Sequence, residues 1–174
     1  VGLKKSRTIS NIVIHPKDHN TLLVGVQGDQ YKPSSDRGLY HSNDGGKNWK
    51  KVLYVNETTG ISGLTMDRNN PRILYASTWD HLRKPWQIRS GGTGSGVYKS
   101  IDGGLNWKKL DTGLPKIMGK TDVSVSGANS DIVYVIAEAE KSGLYRSDNG
   151  GKSFKLINSD RVIIARSWYY IHVF

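Results

Sequence analysis

Three segments of the sequence repeat one pattern. Residues 40–49 read YHSNDGGKNW, residues 98–107 read YKSIDGGLNW and residues 145–154 read YRSDNGGKSF. Each is aromatic-x-Ser-x-Asp/Asn-x-Gly-x-x-aromatic, and the starts lie 58 and then 47 residues apart. With a further glycine shared before the one in the pattern, six constrained positions do not match three times by chance. A repeat of that length points to an array of supersecondary units, none of which can bury its apolar faces alone.

Upstream of each copy lie two apolar runs rich in β-branched and aromatic residues. The longer ones are TLLVGVQGD (21–29), RILYASTWD (72–80) and DIVYVIAEAE (131–140). The shorter ones, SNIVIHP (10–16), ISGLTMD (61–67) and VSVSGA (123–128), precede them. Alternation and turn punctuation mark these as strands, and no segment carries a convincing helical period. The unit is therefore strand A, a short turn, strand B, a longer loop, strand C ending in Tyr-x-Ser, a Gly-rich turn and strand D. Four antiparallel strands in roughly fifty residues describe a β-propeller blade. The predicted fold is all-β, with blades over about 8–57, 58–115 and 120–160 and the first strand of a fourth over 165–174. Propellers close with about 4–8 blades, so the sequence is expected to be part of a larger ring whose remaining blades are its first partners.

The repeated pattern resembles the Asp-box, or BNR repeat, of sialidases, sortilin-type receptors and xyloglucan-active glycoside hydrolases. The chain as a whole is similar to bacterial BNR propellers of glycosyl hydrolase-like or sortilin-like type. That likeness rests on DRGLYHSNDGGKNWKKVLYV, on the stretch from Trp79 through PWQIRSGGTGSGVYKSIDGG, and on the terminal SWYY. The resemblance implies an exported protein, secreted, periplasmic or at the cell surface. It implies a polysaccharide or a protein or peptide ligand. It does not carry a sialidase arginine cluster or an alignable pair of glycosidase acids onto this chain.

Physically the Asp-box is a hairpin device. Its positions here are Ser42, Asp44, Gly46 and Trp49; Ser100, Asp102, Gly104 and Trp107; and Ser147, Asn149, Gly151 and Phe154. The Asp or Asn accepts turn N–H groups, the glycines supply positive φ, and the aromatic fills the gap between blades. Asn149 and Phe154 depart from the pattern but can do both jobs. Three copies of a catalytic group make little sense, whereas three copies of a structural turn do.

Strands that alternate in direction put every Asp-box at one end of the blades and the B–C loops (29–37, 80–95 and 139–142) at the other. Long loops on a rigid scaffold carry binding, so the face opposite the Asp-boxes is the candidate functional face. Acids recur there at the end of strand B: Asp29, Asp80, Glu138 and Glu140. Asp80 with Glu138 or Asp29 is the catalytic candidate, because a glycosidase needs two carboxylates roughly 5–9.5 Å apart. The alternative is that these acids cap loops or form ion pairs. Ligand-binding candidates are the aromatics Tyr31, Trp79, Trp86, Trp168, Tyr169 and Tyr170 and the cations Arg7 and Arg89, with Trp86 and Arg89 the favoured pair; Tyr169 and Tyr170 also read as half-buried strand residues. Rings for stacking among acids for hydroxyls suit a sugar cleft, and equally a protein-binding rim.

Composition removes several classes. With no cysteine there is no disulfide, thiolate nucleophile or Cys-ligated zinc. No apolar run approaches the eighteen residues of a membrane span, and the first residues, VGLKKSRTIS, lack a signal-peptide core. The net charge of +10 favours an acidic partner. Yet Lys47, Lys50, Lys51, Lys108, Lys109, Lys152 and Lys155 all fall on the outer strand or its turn. There they guard an exposed edge rather than form a nucleic-acid groove. The GGTGSG stretch (91–96) leads into a strand, not a helix, so it is no dinucleotide fingerprint. The five histidines lack metal-ligand spacing and read as turn or surface residues, and no cofactor or metal is implied. Three functions stay open: a polysaccharide-binding or polysaccharide-hydrolysing propeller, a non-catalytic sortilin-like interaction module, and a structural segment of a surface assembly.

Overall fold

A computed structural model describes residues 2–174. Three antiparallel sheets follow one another along the chain. The first contains β1 (Ile9–Ile14), β2 (Leu22–Val26), β3 (Gly38–Ser42) and β4 (Lys50–Leu53), hydrogen-bonded in chain order. The second orders β5 (Thr59–Met66), β6 (Leu74–Lys84), β8 (Gly96–Ser100) and β9 (Lys108–Leu110), with β7 (Gln87–Ser90) folded back on the far end of β6. The third orders β10 (Met118–Val125), β11 (Val133–Ala139), β12 (Gly143–Ser147) and β13 (Lys155–Asn158). This is an all-β array of propeller blades.

Alternation along each strand sends successive side chains to opposite faces, and both faces of a blade must be covered. Leu23, Leu39 and Leu53 of the first sheet form one core with Ile61, Leu64, Leu74, Ala76 and Tyr98 of the second. Tyr75 and Val97, on the other side of the second sheet, meet Val123, Val133, Val135, Tyr145 and Phe154 of the third. On the first sheet, against which no other described sheet packs on that side, the same positions lie open. Ile12 is 62% exposed, whereas Leu64 and Val123, which hold the equivalent register, are 7% and 2% exposed. The inner strand of every sheet also breaks register once, between Ile9 and Asn11, Ile61 and Gly63, and Met118 and Thr121. Such bulges bend and twist a strand, and here they recur at the edge where the three sheets converge.

Two sequence expectations are corrected. Residues 80–95 are not an irregular loop, because β6 runs on to Lys84 and pairs with β7 as a hairpin. Residues 165–174 add no strand. Asp160 accepts from the backbone N–H of Val162 and opens a short turn, α1 (Arg161–Ile164). Arg166 adopts a left-handed conformation (φ 54°) before a second, α2 (Ser167–Tyr170). The apolar character that suggests a strand is met instead by packing: Ile171 is 1% exposed, and Val173 N–H donates to the Asp122 carboxylate on β10 at 3.1 Å. No helix among the described residues is long and apolar enough to cross a membrane.

Candidate ligand-binding site

The Asp-boxes define one end of the blades. Ser42 Oγ donates to Asp44 Oδ1 (2.8 Å) and accepts from Gly46 N–H (2.9 Å), and Asp44 also accepts from Asn48 N–H and Nδ2 (2.9 and 2.7 Å). Asp102 holds the same bonds with Ser100 and Asn106. In the third box the polarity of one bond reverses: Asn149 Nδ2 donates to Ser153 Oγ (2.8 Å) while its Oδ1 accepts from Ser153 N–H (2.9 Å). The first glycine of each box then donates to the turn between the two inner strands of its own blade. Gly45 reaches Asn20 O, Gly103 reaches Arg72 O and Gly150 reaches Asp131 O, at 2.8–3.0 Å. Trp107 packs in the core between the first two blades, Phe154 in the core between the second and third, and Trp49 beside Leu3 on the open face of the first.

The opposite end is organised by an arginine that the sequence did not single out. Arg37 is fully buried. One guanidinium nitrogen donates to Thr58 O (2.8 Å) and lies 3.3 Å from His81 Nδ1, while the other donates to Asp29 O. The side chain thereby ties the β2–β3 loop to the inner strands of the second blade. Burial lowers its affinity for a proton, yet a guanidinium stays charged.

Three of the four recurrent acids are engaged. Asp29 caps its own loop, accepting from Tyr31 N–H at 2.9 Å, with Arg7 4.0 Å away. Asp80 is 5% exposed, and its Oδ1 accepts from Arg89 (2.9 Å) and from Thr58 Oγ1 (2.7 Å). Glu138 receives Ser90 Oγ (2.6 Å) and Lys120 N–H (2.9 Å) on Oε2, and Trp168 Nε1 (2.9 Å) on Oε1. Glu140 stands exposed beyond it.

The aromatics divide. Trp79 is buried, donates to Ser90 Oγ (3.0 Å) and stacks on the His81 ring at 4.1 Å between centroids. Trp168 and Tyr169 stand on α2, about half exposed at 41% and 49%, and Tyr170 is more exposed still, so neither tyrosine is a strand residue. Tyr31 is exposed on its loop. The hairpin parts the favoured pair: Trp86 stands at its tip, 79% exposed, while Arg89 turns to Asp80.

Where the inner strands converge, a cavity of about 300 Å³ opens between Ser10, Ser62 and Lys120, one residue from each sheet. Trp79, His81, Arg83, Trp168, Tyr169 and His172 complete much of its wall. His81 corrects the surface reading of the histidines, since it is 3% exposed and carries a ring nitrogen, Nε2, without a partner. Burial and the Arg37 charge pull its pKa down to about 4, so the ring is neutral at pH 7. Lys120 is 8% exposed, and burial lowers its pKa as well. Nothing in the sequence singled it out, since it precedes the run 123–128 read as strand A. No group of three metal-ligating side chains gathers among the described residues.

Comparison with known proteins agrees with this fold. Xyloglucanase Xgh74A of Acetivibrio thermocellus is 22% identical over 178 residues, a match that takes in 86% of this chain and 20% of the relative. The chain thus spans about a fifth of that protein's length. A crystal structure of an ancestral GH74 enzyme superposes with a TM-score of 0.65 at 20% identity, over 89% of this chain and 19% of that one. YCF48 from Cyanidioschyzon merolae gives 0.59 at 15% identity, over 98% and 46%. At these identities the likeness is one of fold. The model of the family described as sortilin, neurotensin receptor 3, matches residues 37–169, most of the sequence and two of its three Asp-box blades in full. By that match the chain belongs to the Sortilin-Vps10 family.

Proposed function

We propose that this chain is a non-hydrolytic, polysaccharide-binding part of an Asp-box propeller, taking its ligand at the end opposite the Asp-boxes and acting outside the cytoplasm. One observation carries the reading. Both oxygens of Glu138 are filled by three donors, and Asp80 is locked to Arg89 and Thr58. A glycosidase keeps one carboxyl free to give up a proton and a second free to attack or to activate water. Neither Asp80 nor Glu138 has that freedom here. What is left is a rigid wall of indoles, hydroxyls and amides around a cavity, the chemistry of a sugar-binding surface.

The test is affinity electrophoresis through gels containing soluble polysaccharides, run beside a reducing-end assay. Retardation without release of reducing ends supports the proposal, and failure to retard in every polysaccharide ends it. Release of reducing ends that disappears in Glu138→Gln would make the protein a hydrolase.

A second reading, a peptide-binding module, has one specific observation behind it. Residues 171–174 follow α2 without regular structure and dock on β10 through Asp122, which accepts from Val173 N–H and from His172 Nδ1 (3.2 Å). An incoming peptide would meet the same carboxylate.

A further inference from the structure

The cavity between the inner strands contains an unanswered donor. His81 Nδ1 lies 3.3 Å from the Arg37 guanidinium, which can only donate, and 3.3 Å from Trp79 O, which can only accept. The guanidinium charge favours a lone pair facing it over an N–H, so we take Nδ1 as the acceptor and place the ring proton on Nε2. That N–H is buried in a side chain 3% exposed, and it has no partner. Leaving a buried donor unmatched is costly, and an oxygen entering the cavity removes that cost. Beside it stands a second group of the same demand. Lys120 is 8% exposed, and its ammonium holds one long hydrogen bond, 3.5 Å to Tyr169 O. Asp122 and Glu138 attract the ammonium from a distance, but their hydrogen bonds go elsewhere: Asp122 to His172 and Val173, Glu138 to Ser90, Trp168 and the Lys120 backbone. Neither lines the cavity, and no other Asp or Glu among the described residues does, whereas Arg83 and His172 add further positive or ionisable nitrogen.

The rest of the wall argues for the kind of molecule that carries the anion. Ser10, Ser62, Gln27 and Gln30 offer hydroxyls and amides, Trp79 and Trp168 offer indoles, and Ile88 is the single aliphatic residue lining the space. A ligand dense in hydroxyls matches this wall, and an apolar peptide side chain does not. The volume, about 300 Å³, falls at the lower end for small-ligand pockets.

We propose that this cavity is a subsite for a uronic-acid unit, whose carboxylate accepts from His81 Nε2–H and pairs with the Lys120 ammonium while its hydroxyls meet Ser10, Ser62, Gln27 and Gln30. The assignment rests on the polysaccharide-binding reading and names the sugar class it selects. The chain's charge of +10 draws acidic glycans toward it at long range.

The test is calorimetric titration of the full chain with methyl β-D-glucuronide and with methyl β-D-glucoside, which differ only by the carboxylate. The expected result is at least tenfold tighter binding of the glucuronide, lost in Lys120→Met. Because that variant also removes a buried charge, the wild-type protein provides a second measurement. The nitrogen-15 resonance of His81 Nε2 should shift on adding glucuronide and stay put with glucoside. Equal binding of both glycosides, or no shift at Nε2, overturns the subsite. If neutral polysaccharides still retard the protein, the proposed function survives that failure; if no polysaccharide does, both fall. Displacement of bound glucuronide by a peptide with a free terminal carboxylate, at lower concentration than by the sugar itself, would assign the cavity to peptides and overturn the inference.

Discussion

Arg37 and His81 lie 44 positions apart in sequence and meet at 3.3 Å in the interior, the one fully buried, the other nearly so. Burial and the guanidinium charge beside it make protonation of the ring costly. An unfolded histidine takes up a proton near 6.5, whereas His81 in the fold does so only near about 4. Between those values the unfolded chain binds more protons, so stability rises with pH across the window and is lost as pH falls through it. At 1.36 kcal/mol per unit the full loss is roughly 3 kcal/mol. Urea denaturation at pH 7 and pH 4.5 should show this weakening in the native protein. His81→Gln, whose amide can accept from Arg37 without ionising, should show less of it. Equal pH dependence in the two proteins would refute the coupling.

The Asp-box carboxylates respond in the opposite range. Hydrogen bonds from Asn48 hold Asp44 down at about 2, and those from Asn106 hold Asp102 well below the usual carboxylate range. Their contribution is full above about 3.8 and fades only as pH falls through the depressed values. Asp102→Ala strands the N–H groups of Leu105 and Asn106, which it now accepts. The expected cost is about 1 kcal/mol, a fall in Tm of roughly 2–4 °C for a chain of this size. Asn149→Asp should be close to neutral, since Ser153 Oγ can turn and donate where it now accepts. A thermal melt of each variant decides.

Glycine at position 63 is required by the neighbouring blade. A Cβ there would stand 2.0 Å from Asp122 Oδ1 and 2.6 Å from Ser77 Oγ. Asp122 cannot retreat, being held by Val123 N–H, Val173 N–H and His172. Gly63→Ala is therefore expected to destabilise by about 2–3 kcal/mol. A denaturation midpoint unchanged from the native protein would show that the two inner strands are not in tight register.

Trp86 makes the reverse case. At 79% exposure it contributes little to folding, and Trp86→Ala should leave stability within about 0.5 kcal/mol. If the hairpin tip forms part of the polysaccharide surface, the same variant migrates faster than the native protein in a polysaccharide gel. Unaltered retardation would confine binding to the cavity.

The repeat made the strands legible because period-two alternation, Gly-rich turns and β-branched runs are local signals. The interior of the candidate site was not local. Arg37 precedes a strand glycine and looks like an ordinary loop cation, and His81 follows an acid that drew attention to itself. Their pairing depends on how two blades dock, which no spacing records. The segment 165–174 misled for a related reason. SWYYIHVF has the composition of a strand, but a strand also needs a partner ladder, and burial of Ile171 with the Trp168–Glu138 bond satisfied the same residues another way. The acids at the ends of strand B recur visibly in the sequence; the partners of Asp80 and Glu138, namely Arg89, Ser90 and the Lys120 N–H, come together only with the hairpin in place.

The uncovered Ile12 has a geometric consequence. Its two structural equivalents are closed by the preceding blade, and the surface that closes them is a different one, built around Leu23 and Leu39 in the first sheet and Tyr75 and Val97 in the second. The stack is thus polar, with a head that accepts and a tail that inserts. Whatever covers the head must offer a tail, so two identical heads cannot pair about a two-fold axis without mismatch. Any extension of these blades is heterologous, and it ends only when the accumulated rotation brings the last tail to the first head.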